Sequence, residues 1–312
     1  MHDYSAALQS HQHALAVHIK LFGEEHEGTA YSYRQLGVTQ NKMHDYSAAL
    51  QSHQHALAIH IKLFGEEHES TAASYRQLGI TQNNMHDYSA ALRSHQHALA
   101  IHLKLLGEEH ESTAASYWQL GVTQNNMDDY SAALRSHQHA LAIHLKLFGE
   151  DHESTADSYM ILGGTQINMH DYSAALQSHQ RALAIYLKLF GEEHESTAAS
   201  YWQLGVTQCN MHDYSAALQS HQHALAIRIK LFGEDHESTA DSYMALGETQ
   251  NVMHDYSAAL QSYQRALAIC IKLSGEEHES AAESYRCLEI TQNVQRDKDK
   301  KNKGKRRTCR LF

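Results

Sequence analysis

The sequence predicts an all-α chain, an α-solenoid of stacked helical hairpins, and three observations carry that prediction. A block opening MHDY begins at Met1 and returns at Met43, Met85, Met127 (as MDDY), Met169, Met211 and Met253, a fixed period of 42 residues. Such a period marks one supersecondary unit copied along the chain, so the 312 residues count repeats and do not count independent domains. Proline is absent, which removes the usual interrupter of helices. Within each copy the apolar residues fall three and four apart, the period of a helix face. The copies are close in sequence: the first two differ at 5 of 42 positions.

Residues 69–107 show the elements of one unit in order. Ser70 or Thr71 can cap a first helix, helix A, expected over about 71–84, whose Ala72, Tyr75, Leu78 and Gly79 share one face. Asp87 can cap helix B, along which Tyr88, Ala91, Leu92, His95, Ala98, Leu99, Leu103 and Leu106 form a stripe. Gly107 closes helix B, because glycine can take the left-handed backbone that ends a helix; the same glycine stands at 23, 65, 149, 191, 233 and 275. A second glycine recurs inside helix A, at Gly37, Gly79, Gly121, Gly163, Gly205 and Gly247. It should cost about 1 kcal/mol relative to alanine. Close approach of helix B explains the tolerance, and the small Ala49 and Ala56 are expected to meet it. The seventh position of that series is Glu289, where no helix B follows.

A single hairpin cannot bury its own stripe, so neighbours must stack. The expected organisation is a repeat array over 1–294, followed by a basic disordered tail over 295–312. The array comprises a helix B over 1–22, six A/B pairs over 27–274 and a terminal capping helix over 279–294. Met1 is itself a repeat methionine that opens a helix B with no helix A before it, the pattern expected of a fragment or truncated gene model.

The aromatic, Leu-Gly, Asp-Tyr and spaced alanines (Tyr75, Leu78, Gly79, Tyr88, Ala91, Ala98) resemble the tetratricopeptide repeat. With the loop Leu63, Gly65, Glu66 and His68, the 42-residue form is similar to the repeats of kinesin light chain and nephrocystin-3-like proteins. The resemblance covers residues 1–294. It implies a right-handed superhelix of helix-turn-helix units that binds peptide or helical segments of other proteins in a concave groove lined by helix A, as a scaffold or cargo adaptor in the cytoplasm.

The 28 histidines invite a metal or catalytic reading. His53, His55 and His60 stand at spacings of two, five and seven, which do not converge on one ligand. His53 falls in the apolar stripe, replaced by Tyr263 in the last full unit, and reads as a partly buried, hydrogen-bonded packing residue. His55 and His60 give way elsewhere to Arg181, Arg265, Tyr186, Arg228 and Cys270, which reads as solvated surface. Protonating every histidine would move the formal charge from −11 to +17, so stability is expected to respond as pH falls through about 6.5. His68-Glu69 begins like HExxH, but the fifth residue is Ala72. No phosphate loop or serine elbow appears. No enzyme, cofactor or metal is expected.

The copies diverge mainly along helix A. The variable series run Tyr31, Ala73, Ala115, Asp157, Ala199, Asp241, Glu283; then Arg34, Arg76, Trp118, Met160, Trp202, Met244, Arg286; then Val38, Ile80, Val122, Gly164, Val206, Glu248, Ile290; a fourth begins Asn41, Asn83, Asn125, Ile167. Steps of three, four and three put all four on one face. The candidate protein-binding residues are Arg34, Arg76, Trp118, Met160, Trp202 and Met244 with Asn83 and Asn125, since Trp and Arg are favoured interface anchors and Met adapts to varied partners. Drift on a tolerant surface is the competing explanation.

Charge is asymmetric. The last eighteen residues carry +7, leaving −18 on residues 1–294, so nucleic acid is not an expected partner of the array. The tail has three readings: solubilising disorder, contact with an acidic surface such as a membrane or microtubule, and lipidation. The last rests on Cys309-Arg310-Leu311-Phe312, which fits a prenylation box behind a polybasic stretch. A tethered organiser and an inert spacer are therefore alternatives to the scaffold. The four cysteines have no paired spacing, as in a reducing intracellular location, and no apolar run is long enough to span a membrane.

Overall fold

A computed structural model describes residues 4–308, and among these every regular element is a helix. In order they are α1 (Tyr4–Phe22), α2 (Glu27–Lys42), α3 (Tyr46–Phe64), α4 (Glu69–Asn84), α5 (Tyr88–Leu106), α6 (Glu111–Asn126), α7 (Tyr130–Phe148), α8 (Glu153–Asn168), α9 (Tyr172–Phe190), α10 (Glu195–Asn210), α11 (Tyr214–Phe232), α12 (Glu237–Val252), α13 (Tyr256–Ser274) and α14 (Glu279–Thr308). The even-numbered helices are helix A and the odd-numbered ones helix B. The chain divides into two compact units, 1–150 and 151–312. The loop at the division, Gly149-Glu150-Asp151-His152, has the same pattern as the other loops, so no signal in the sequence marks it.

In the first unit α1 packs on α2, and the hairpins α2/α3, α4/α5 and α6/α7 stack in chain order. The second unit stacks α8/α9, α10/α11 and α12/α13, and lays α14 on α13. Successive A helices also touch each other directly within each unit.

Local chemistry sets the turns. Between helices A and B the Asp45 N–H donates to Gln40 O at 2.9 Å and the His44 N–H to Asn41 O at 3.0 Å, a Schellman closure. It requires His44 at φ 60°. The equivalent residues His86, Asp128, His170, His212 and His254 share that conformation, which histidine and aspartate tolerate better than most side chains. Asp45 at once caps α3, its Oδ1 accepting from the Ala48 N–H at 3.1 Å, and Asp87 does the same for α5. After helix B, Gly65 sits at φ 84°, ψ 179°, a region that is essentially closed to any residue with a Cβ.

Helix A begins earlier than expected, because its cap is neither Ser70 nor Thr71. The Ser70 N–H donates to His68 Nδ1 at 3.1 Å, and Phe64 stacks on that ring with centroids 4.3 Å apart. Imidazole here does what a serine or aspartate oxygen does at most helix starts. Thr71 instead turns back, its hydroxyl donating to Gly65 O at 2.8 Å.

The core is made of small residues and rings. Ala49, Ala56, Ala72, Ala91 and Ala98 are fully buried, which lets the helices approach. Their partner at the helix A glycine is not an alanine but the histidine ring. A methyl group added to Gly79 would lie 2.5 Å from His95 Cε1, and one on Gly37 would lie 2.6 Å from His53 Cε1. Gly121, Gly163 and Gly205 receive His137, His179 and His221, and Gly247 receives Tyr263. Each ring thus fills a notch that only glycine leaves open.

Two expectations are corrected. The helix does not end at 294 with a disordered tail: α14 continues to Thr308. Residues 295–308 contain no proline, are rich in Lys and Arg, and place Asp297 3.7 Å from Lys300 one turn on. Lys298 Nζ also stands 4.9 Å from the centroid of the Tyr256 ring. Cys309, and with it the prenylation reading, lies outside the described residues. Secondly, the His60 series is buried and not solvated. His60, His102 and Tyr186 are 3%, 4% and 3% exposed. They lie between hairpins, His60 Nδ1 being 2.7 Å from Ser74 Oγ on the next helix A and His102 Nδ1 2.8 Å from Ser116 Oγ. Arg is accepted at Arg228 because its guanidinium reaches Ser242 Oγ and Ser238 O, both at 2.8 Å. His55 is exposed as expected and stacks on Tyr33 with centroids 5.0 Å apart.

Candidate functional site: the helix A face

The A helices of each unit lie side by side and present the variable series on one face. In the first unit this face is basic and aromatic. Arg34 lies with its guanidinium carbon 5.4 Å from the Tyr31 ring centroid. Arg76 Nε is buried with no hydrogen-bond partner, and burial followed by the Arg34 charge pulls its pKa down. Trp118 is 38% exposed, a large apolar surface to leave in water. Asn83 serves the fold: its amide donates to Thr123 Oγ1 on the next helix A at 2.8 Å, as Asn41 does to Thr81. Asn125 is half-buried at the equivalent place.

In the second unit the same positions carry sulfur, indole and acid. Met160 and Met244 each accept a hydrogen bond from a serine of the next helix A, Ser200 and Ser284, with O···S 3.4 Å. Met244 also packs against the cluster of Ala259, Tyr263 and Leu288. Trp202 is half-buried and its Nε1 has no partner. It lines a cavity of about 360 Å³ with Val206, Cys209, Glu248 and Val252 among others. Cys209, standing where every other copy but the one with Ile167 has asparagine, touches Thr249 with S···O 3.4 Å.

The acids of this face were not among the sequence candidates. Asp157 accepts from the Tyr186 hydroxyl. Burial raises the Asp241 carboxyl, and the surrounding protein together with the charge of Glu283 raises that of Glu248. The signal was in the variable series, where acids stand at 157, 241, 248 and 283 and none before 150.

The ring-and-notch histidines belong to the core and not to this face. His53, His95, His179 and His221 have their pKa pulled down to about 4, chiefly by burial, with Arg34, Arg76 and Arg228 adding to it at His53, His95 and His221. Neither ring nitrogen of His53 or of His95 has a hydrogen-bond partner, where a bonded histidine was expected. Among the described residues no group of three or more His, Cys, Asp or Glu is placed to hold a metal ion, and no helix is long and apolar enough to cross a membrane.

Hairpins of one sequence, stacked in chain order with an exposed and variable helix A face, define a helical-repeat protein. The chain belongs to the tetratricopeptide repeat family, whose profile matches residues 1–60, 40–104, 83–146, 112–188, 162–230 and 196–272. Among solved structures it is similar to BtubC (BKLC) from P. vanneervenii, with a TM-score of 0.65 at 19% identity over 75% of this chain and 94% of that one. It is also similar to a Podosopora anserina putative kinesin light chain with nearly identical TPR-like repeats, with a TM-score of 0.59 at 22% identity over 67% and 99%. The apo form of RapI gives a TM-score of 0.60 at 18% identity over 86% and 99%. No curated protein sequence matches the chain. The tetratricopeptide fold is typical of protein–protein interaction scaffolds and is typically non-enzymatic.

Proposed function

We propose that the chain is a protein-interaction scaffold or cargo adaptor, similar in mode to kinesin light chain, that holds peptide or helical segments of other proteins on its helix A face without catalysing a reaction. The observation that supports this most is the recurrence of Arg, Trp and Met at one helical position in each unit. Trp118 is 38% exposed, Trp202 borders an open cavity with its Nε1 unpartnered, and Arg34, Arg76, Met160 and Met244 occupy the same position in other copies. Tryptophan and arginine side chains are enriched in binding hot spots. A cytoplasmic site of action goes with this role.

The test is affinity capture with the wild-type chain and with Trp118→Ala/Trp202→Ala, matched for helicity by circular dichroism. Partners retained by the first and lost by the second are expected; identical sets would sink the proposal. The tethered alternative rests on the sequence at Cys309, and fractionation of Cys309→Ser tests it.

A further inference from the structure

We propose that the cavity bordered by α10, α11 and α12 is a slot for one basic side chain, Lys or Arg, of a polypeptide lying on the helix A face, with the cation held between the Trp202 indole and the Glu248 carboxylate. This rests on the protein-binding role above and adds the chemistry that this part of the face selects.

Four observations carry it. The cavity holds about 360 Å³, at the small end of sites that enclose whole ligands, a size that suits one long side chain. Its walls are Val206, Ala245 and Val252, against which an alkyl stem can lie while its charged head stays at the rim. Glu248 is exposed, and among the described residues no cation stands within ion-pair distance of it. The nearest candidate, Arg286, is committed to Glu283, its Nε donating to Oε2 at 2.8 Å and its Nη2 to Oε1. Trp202, the kind of aromatic side chain best suited to a cation, lines the cavity. The remaining polar lining brings no positive charge: His221 is held neutral by burial, Cys209 and Thr249 touch each other, and Asn210 and Tyr214 are an amide and a phenol. An anionic ligand would meet the Glu248 carboxylate with no cation in the lining to offset it. One repeat earlier in the same unit, Met160 and Val206 replace Trp202 and Glu248, so the pairing is specific to this cavity.

The experiment is selection of a displayed random twelve-residue peptide library on the full chain, on Glu248→Lys, on Trp202→Ala and on Glu276→Lys, an exposed acid in the α13–α14 loop that controls for overall charge. All four proteins are first checked for equal helicity. Wild type and Glu276→Lys should enrich Lys or Arg at one fixed peptide position. Glu248→Lys should abolish or invert that bias, and selected peptides should bind it at least tenfold more weakly. Peptides that depend on Trp202 but carry no basic residue would overturn the slot while leaving the scaffold proposal intact. A bias that survives Glu248→Lys, or that Glu276→Lys removes equally, would also overturn it. If selection on the full chain enriches no peptide at all, the scaffold proposal falls as well.

Discussion

The hairpins α10/α11 and α12/α13 differ where it is most instructive: one presses His221 into the notch of Gly205, the other presses Tyr263 into that of Gly247. Both rings are buried, His221 2% and Tyr263 2% exposed. Each excludes a Cβ at less than 3 Å. Shape is therefore what the notch selects, and the imidazole's basicity is incidental to packing. Basicity nonetheless has a consequence. A buried histidine disfavours its charged form, whereas burial raises the Tyr263 phenol further away from neutral pH.

The largest expected effect comes from filling a notch. Gly163→Val should cost about 3 kcal/mol or more, because backbone and ring must separate. The adjacent Gly164 has nothing within 4 Å of where a Cβ would sit, so Gly164→Ala should stabilise the chain by about 1 kcal/mol through helix propensity. Opposite shifts in urea midpoint for two neighbouring glycines would confirm that the notch, and not helix propensity, fixes the first; shifts of the same sign would refute it.

Acid comes next. The folded-state pKa of about 4 at His53, His95, His179 and His221 lies below the ordinary 6.5, so the fold binds fewer protons than the unfolded chain. The stability these residues contribute is fully present above about pH 6.5 and drains away as pH falls toward 4, by about 2 kcal/mol per histidine at pH 5. Urea midpoints should fall between pH 7.5 and 5, and His221→Tyr, which copies the α12/α13 solution, should flatten that slope. An unchanged slope would show that other groups govern the acid response.

Smaller effects lie at the helix ends and on the surface. Asp87→Ala removes the acceptor for the Ala90 N–H and should cost about 1 kcal/mol in the same urea assay. Lys104, ion-paired with Glu67 between successive hairpins, is solvent-exposed, and Lys104→Met should change stability by no more than about 0.5 kcal/mol. A larger loss would mean that the exposed ion pairs, repeated at Lys62, Lys146, Lys188, Lys230 and Lys272, act together as a network.

The period, the Asp87 cap, the Gly107 terminator and the need for a close approach at Gly79 were legible because each depends on chemistry within a few residues of chain. What escaped depends on residues a repeat away. Nothing near Asn83 reveals that its amide is taken by Thr123, and nothing near His60 reveals Ser74 facing it, so the first was read as groove and the second as solvent. Substitution by Arg228 looked like exposure, although a long side chain can leave a crowded site by its tip. The cap at His68 escaped for a different reason, since imidazole is not among the usual capping groups. On the helix A face Trp118 and Trp202 stood out in the sequence as large side chains at a variable position. Glu248 was visible only as variation, because its meaning lies in the cavity it shares with Trp202.

Within each unit a hairpin is held by its neighbours along the chain and by amide-to-hydroxyl bonds such as Asn41 to Thr81. Under mechanical tension such a stack yields first at an outermost hairpin, which has one neighbour to hold it where inner hairpins have two, so hairpins peel away in turn. Each release frees one 42-residue repeat, or roughly 140 Å of extended chain. Copies this alike yield at similar loads, which makes the stack an extensible tether with evenly spaced increments of length.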